Sequence, residues 1–162
     1  MPSPRTREAE MTETLAGGHL LAAISTKIVG ILREHYGRGP MKAKTYAFDD
    51  VVTCVMRGTG FTPLEKTIME GDGPDRVLAI RKAFQASVGE RYKQAIEELT
   101  GRKVVAFLSE ASLDPDITVE MFFVDSPLEG FRTGDNGHLE GPRFGASPVD
   151  RRSPLRDRRS DS

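Results

Sequence analysis

The chain has 162 residues, of which 38% are hydrophobic and 29% charged, with a formal net charge of -1 and a single cysteine, Cys54. This balance gives bulk electrostatic binding of nucleic acid no support, and one cysteine excludes an intrachain disulfide and suits a reducing cytosol. No apolar run reaches the length of a membrane span, and the opening M-P-S-P-R-T-R-E-A-E lacks the apolar centre of a signal peptide, so the expectation is a soluble, cytoplasmic protein.

Patterning divides the chain into three. Residues 15–126 alternate apolar and polar in ordered periods and carry 14 basic against 15 acidic residues. They are expected to form one domain large enough to bury a core without metal or disulfide. Residues 1–14 and 127–162 are rich in Arg, Ser, Pro, Gly and acids, with Arg151, Arg152, Arg156, Arg158 and Arg159 crowded near the end. Such segments bury too little apolar area to offset their ordering entropy, so both are predicted to be disordered.

Within residues 15–36, Leu20, Ile24, Ile28, Ile31 and Leu32 recur at three- and four-residue steps and define the apolar face of a helix. Gly37 ends it and Pro40 prevents a restart. Gly30 inside this helix implies either close approach by a neighbour or a tolerated surface position. Residues 43–48 and 51–56 are aromatic and β-branched runs that predict a hairpin about Asp49-Asp50. One long bulged strand is the alternative, because Asp-Asp is a poorer two-residue turn than Asn-Gly or Asp-Gly.

Thr62-Pro63-Leu64-Glu65 has the form of a capping box and opens a short helix running to about Glu70. The turn Gly71-Asp72-Gly73-Pro74 then leads into a long helix over 74–100, with Val77, Ile80, Phe84, Val88, Tyr92, Ala95 or Ile96, and Leu99 as its core stripe. Arg81, Lys82, Glu90, Lys93, Glu97 and Glu98 read as its solvated face. Residues 103–109 and 117–125 form the second strand pair, joined by turn chemistry at Leu113-Asp114-Pro115-Asp116. In the last strand Ile117, Val119, Met121 and Phe123 point one way and Thr118, Glu120, Phe122 and Val124 the other. The second, mixed face is expected to be only partly covered.

The predicted fold is therefore α+β and two-layered, with two β-hairpins forming an antiparallel sheet and one long and two shorter helices packed on it. A two-layer domain leaves one sheet face to be covered, which predicts a homodimer.

The segments G-R-G-P-M-K-A-K-T-Y, T-P-L-E-K-T and E-L-T-G-R-K-V-V-A-F-L-S followed by D-P-D-I-T-V-E resemble those of the MpsC family. MpsC is named for a component of a Na+-translocating, membrane-potential-generating system. The resemblance spans roughly residues 17–124. It implies a small bacterial cytosolic protein from systems tied to membrane potential and inorganic-carbon uptake, and it supplies no catalytic residues.

Arg38, Lys42 and Lys44 surround a glycine loop and form a candidate anion- or partner-binding site, which Arg102 and Lys103 could join in space. The glycines precede a strand instead of opening a helix, so the spacing is neither a P-loop nor a dinucleotide fingerprint. The competing reading is a helix stop beside a solvated sheet edge guarded by Lys. Asp49, Asp50, Asp114 and Asp116 are explained by turns, Glu65 by its cap, and Cys54 as a small buried hydrophobe. His19, His35 and His138 are scattered, and one cysteine offers no zinc set, so no metal, cofactor or catalytic residue is expected. The element order also resembles that of a type II KH domain, but Gly71-Asp72-Gly73-Pro74 carries an acid where that RNA-binding loop needs G-x-x-G.

The functional expectation is a non-enzymatic accessory or regulatory protein, in contact with a membrane ion or bicarbonate transport subunit and having no span of its own. A small-anion or nucleotide sensor using Arg38 to Lys44 is the alternative. An RNA-binding domain of KH-like order comes third.

Overall fold

The computed structural model of the protein describes residues 17–132. The lead 1–14 and the tail from 133 onward, with His138 and the terminal arginines, lie outside the described residues.

The elements are α1 (Gly18–Tyr36), β1 (Lys42–Phe48), β2 (Val51–Arg57), α2 (Pro63–Gly71), α3 (Pro74–Thr100), β3 (Val104–Ser112) and β4 (Ile117–Val124). All strand pairings are antiparallel and the order across the sheet is β1-β2-β4-β3. The two hairpins thus meet along β2 and β4, giving the α+β sheet-and-helix architecture. Helices α1 and α3 pack on the sheet, while α2 packs against α3.

The predicted stripe of α1 is the buried one: Leu20, Ile24, Ile28, Ile31 and Leu32. Gly37 closes the helix in the left-handed region, at φ 82°, where glycine meets no Cβ penalty, and its amide donates to the Arg33 carbonyl at 3.1 Å. A Cβ added at Gly30 would meet nothing, so that glycine is a tolerated surface position. The glycine that permits close approach is Gly89 of α3, where an added Cβ would lie 3.0 Å from the Phe107 ring on β3.

Asp49-Asp50 does form the β1–β2 turn, with Asp49 at φ 48°, a conformation Asp tolerates better than most residues. Backbone partners from the chain's later part hold it. The Asp49 amide donates to the Phe131 carbonyl at 2.7 Å, and the Leu128 and Val124 amides donate to the Asp49 and Asp50 carbonyls, each at 2.9 Å.

Those contacts carry the fold past residue 126. Leu128 is 3% exposed and belongs to the core, and Phe131 packs against it. A chain cut at 126 would lose both, so the expected tail cannot begin at 127. Leu128→Ala is expected to lower unfolding free energy by about 2–4 kcal/mol, the cost of emptying a buried leucine site. Urea denaturation at neutral pH measures it.

The sheet buries the face opposite to the one its composition suggests. Val52, Cys54 and Met56 of β2 and Phe122 and Val124 of β4 lie in the core under the helices, and Phe107 stacks on Phe122 with ring centroids 5.0 Å apart. Ile117, Val119, Met121 and Phe123 therefore lie on the outer face. The mixed set Thr118, Glu120, Phe122 and Val124 is the covered one, with Glu120 itself 1% exposed.

Candidate functional site

The densest polar construction lies where α1, α2 and α3 meet. Thr62 caps α2 in the predicted capping box: its hydroxyl accepts from the Glu65 amide at 3.2 Å, and Glu65 Oε2 accepts from the Thr62 amide at 2.9 Å. The cap alone explained Glu65 in the sequence, but the residue is 1% exposed and its side chain has two more partners. Arg81 donates to it through Nε at 3.0 Å and Nη2 at 3.3 Å, and the Tyr36 hydroxyl donates to Oε2. Arg81, assigned to the solvated face of α3, is 6% exposed and lies between the Tyr36 and Phe61 rings at 5.9 and 5.3 Å.

Burial alone would raise the Glu65 carboxyl, but hydrogen bonds from Arg81, Tyr36 and the Thr62 amide hold it below the usual carboxylate range. Burial, reinforced by the hydrogen bond to Glu65, raises the Tyr36 phenol. The same network fixes the loop between β2 and α2. Arg81 Nη2 donates to the Gly60 carbonyl at 2.8 Å, Arg38 Nη1 donates to the Phe61 carbonyl at 2.8 Å, and the Gly60 amide donates to Asp116 Oδ2 at 2.7 Å.

Beside this network is a cavity of about 30 Å3, lined by Met56, Arg81, Gln85, Tyr92, Thr118 and Glu120 among others. That is room for about one water. Glu120 Oε2, the Tyr92 hydroxyl and the Ser109 hydroxyl are buried with no hydrogen-bond partner from the protein. Burial pushes the Glu120 carboxyl up to about 7, against the opposing pull of the nearby Ser109 and Gln85 side chains. Glu120 can therefore change protonation near neutrality. Polar residues in an alternating strand hinted at it only as a mixed face.

The basic residues read from the sequence fall in three places. Arg38 is engaged with the Phe61 carbonyl. Lys42 and Lys44 lie on the outer sheet face, where Lys42 is the cross-strand partner of Arg57 and Lys44 stands 5.1 Å from the Tyr46 ring centroid. Arg102 donates to the Pro127 carbonyl at 3.3 Å and Lys103 to Glu97 at 3.3 Å. Lys103 adjoins the start of β3, while Lys42 opens β1, level with Ser112 at the end of β3. The two pairs thus occupy opposite ends of opposite edge strands.

In the turn compared with a KH loop, the Asp72 and Gly73 amides both donate to the Ile68 carbonyl, at 2.9 and 3.1 Å, so they do not face outward toward a phosphate. Among the described residues no three His, Cys, Asp or Glu side chains converge as metal ligands. Cys54 is fully buried, and burial pushes its thiol up to about 11, so it is a small core hydrophobe and not a reactive thiolate.

The outer sheet face leaves two aromatic rings and a leucine uncovered, while the exposed Met41 and Leu64 lie off it. Tyr46 is 49% exposed, Phe48 55% and Leu108 59%. No curated protein and no solved structure gives a significant match to the chain. The family described as Na+-translocating membrane potential-generating system (MpsC) matches residues 17–126, the stretch holding every helix and strand of the sheet-and-helix domain. The chain belongs to the MpsC family.

Proposed function

We propose that the protein is a non-enzymatic accessory or regulatory component of a membrane ion or bicarbonate transport system and acts by contact with another protein of that system. The observation that carries the reading is membership of a family named for a Na+-translocating, membrane-potential-generating system. None of the described helices is long and apolar enough to cross a membrane. A domain of this kind reaches ion flow through a membrane subunit, and its buried reduced cysteine fits a cytoplasmic position. The buried Glu65–Arg81 pair supports the non-enzymatic half of the reading, since Tyr36, Thr62 and Gly60 take up its hydrogen bonds within the fold. Self-association as a homodimer is part of the same reading.

The test is affinity capture of the tagged full chain from detergent-solubilised membranes of its source cells. The expected result is one integral membrane transport subunit recovered in near-stoichiometric amount. Recovery of no membrane subunit would overturn the proposal.

A second reading, small-anion sensing, is favoured by one observation. Lys42, Lys44 and Arg57 cluster at one corner of the outer face, and among the described residues none of them forms an ion pair within 4.0 Å. Under it, Lys42→Gln with Arg57→Gln would abolish calorimetric binding of bicarbonate or inorganic phosphate. Stability would change by less than about 1 kcal/mol, because exposed charges contribute little to folding. Heats that are absent from the unmodified chain would remove this reading.

A further inference from the structure

The pairing register arranges the outer sheet face into four cross-strand rows. They read Lys42–Arg57–Ile117–Ser112, Lys44–Val55–Val119–Glu110, Tyr46–Thr53–Met121–Leu108 and Phe48–Val51–Phe123–Ala106 from β1 to β3. The second row has a cation at one edge, an anion at the other and two valines between. Lys44 and Glu110 are both exposed, and neither takes part in an ion pair among the described residues. The fourth row has a large ring at one edge and a methyl group at the other.

The second and fourth rows are each complementary to their own reverse. A two-fold axis parallel to the strands, lying between β2 and β4 above this face, keeps every residue's height along the strands and exchanges the two edges. Strand β1 of one copy then lies over β3 of the other, and β2 over β4. Lys44 meets Glu110 twice, Tyr46 covers Leu108, and Phe48 fills the space above Ala106. The usual crossing of about -30° between aligned sheets displaces the outer strands by only a few ångströms, within the reach of a lysine. An axis across the strands instead lays β1 on β1 and sets Glu110 against apolar neighbours with no cation in the row, which buries an unpaired charge.

We infer that this face binds a second copy of the same chain through that strand-parallel two-fold axis, with reciprocal Lys44–Glu110 pairs flanking an apolar centre. Four strands spaced about 4.8 Å apart and about seven residues long give roughly 400 Å2 of projected sheet per copy. Ten of the sixteen residues in these rows are apolar, and exposed apolar patches of a few hundred Å2 mark interaction sites. The side chains standing on it, Tyr46 and Phe48 above all, bring the buried accessible surface toward that of a small stable interface. This deepens the homodimer part of the proposed function and fails separately from the membrane contact, which capture tests.

The experiment is sedimentation velocity on the full 162-residue chain, comparing the unmodified protein, Lys44→Glu, Glu110→Lys and the double swap. The unmodified chain is expected to be a dimer in the low micromolar range. Each single reversal sets like charges opposite one another twice and is expected to weaken dimerisation at least about tenfold. The double swap restores opposite charges and is expected to return the affinity to within about threefold of the original. Both positions are exposed, and circular dichroism confirms that each variant keeps its fold. A monomeric unmodified chain at high micromolar concentration would overturn the inference. So would single reversals that leave the dimer intact, or a double swap that fails to restore it.

Discussion

Arg81→Met is expected to destabilise the protein by about 3–5 kcal/mol at pH 7, the usual consequence of removing one partner from a buried ion pair. Arg81 is 6% exposed, and the loss of its guanidinium leaves the Glu65 carboxylate without a cation and the Gly60 carbonyl without its donor at 2.8 Å. Adding Glu65→Gln removes the stranded charge and is expected to recover about half of that loss, since an uncharged pair of similar volume is often neutral. In the unmodified chain the Glu65 carboxyl is held below its ordinary value, so its contribution is present above about pH 4.5 and is lost as the pH falls through the folded value. Without Arg81 the carboxyl rises instead, and the Arg81→Met penalty shrinks in acid. A double-mutant cycle by urea denaturation at pH 7 and pH 4.5 checks both parts.

Glu120→Gln is expected to stabilise the protein at pH 8. The Glu120 carboxyl is raised to about 7 by burial. A raised carboxyl contributes fully below its unfolded value near 4.5, and the contribution is lost as the pH climbs to the folded value. Across that window the loss amounts to about 3 kcal/mol, since each pH unit between the two values is worth about 1.36 kcal/mol. The amide cannot ionise, so the variant and the unmodified chain are expected to be similarly stable near pH 4.5 and to diverge up to about pH 7. Thermal unfolding between pH 4 and 8 reads the effect. Equal pH dependence in the two proteins would mean that Glu120 is solvated through the cavity and titrates normally.

Local physics made the fold's elements legible. The left-handed stop at Gly37, the Thr62–Glu65 capping box and, in α3, the buried Val77, Val88, Tyr92, Ala95 and Ile96 are set by residues within one or two helical turns, so each could be read from spacing alone, whereas Arg81 and Gln85 replace Ile80 and Phe84 on the buried face. The site residues depended on contacts between elements. Arg81 finds Glu65 sixteen residues away on another helix, and no periodicity marks a charge whose partner lies elsewhere in the chain.

The sheet's inner face was hidden for a different reason. Alternation tells which residues share a face but not which face is inward, and the uniformly apolar set Ile117, Val119, Met121 and Phe123 had the composition of a core. The mixed set is covered because Phe122 stacks on Phe107 and Val52, Cys54 and Met56 join it beneath α1 and α3. The same register explains the basic residues. Lys42 and Lys44 are two apart on one strand and share the outer face, whereas Arg38 lies before the strand and turns to the Phe61 carbonyl.

The accessory role proposed for this member of the MpsC family predicts that the chain influences the membrane potential of a Na+-translocating system. The most direct measurement is Na+-dependent membrane potential, read with a potential-sensitive dye in energised membrane vesicles from source cells lacking the chain, before and after the purified protein is added back. A reduced potential is expected in the deletion vesicles, with recovery on addition of the unmodified chain. Full Na+-dependent potential without the chain would contradict this role.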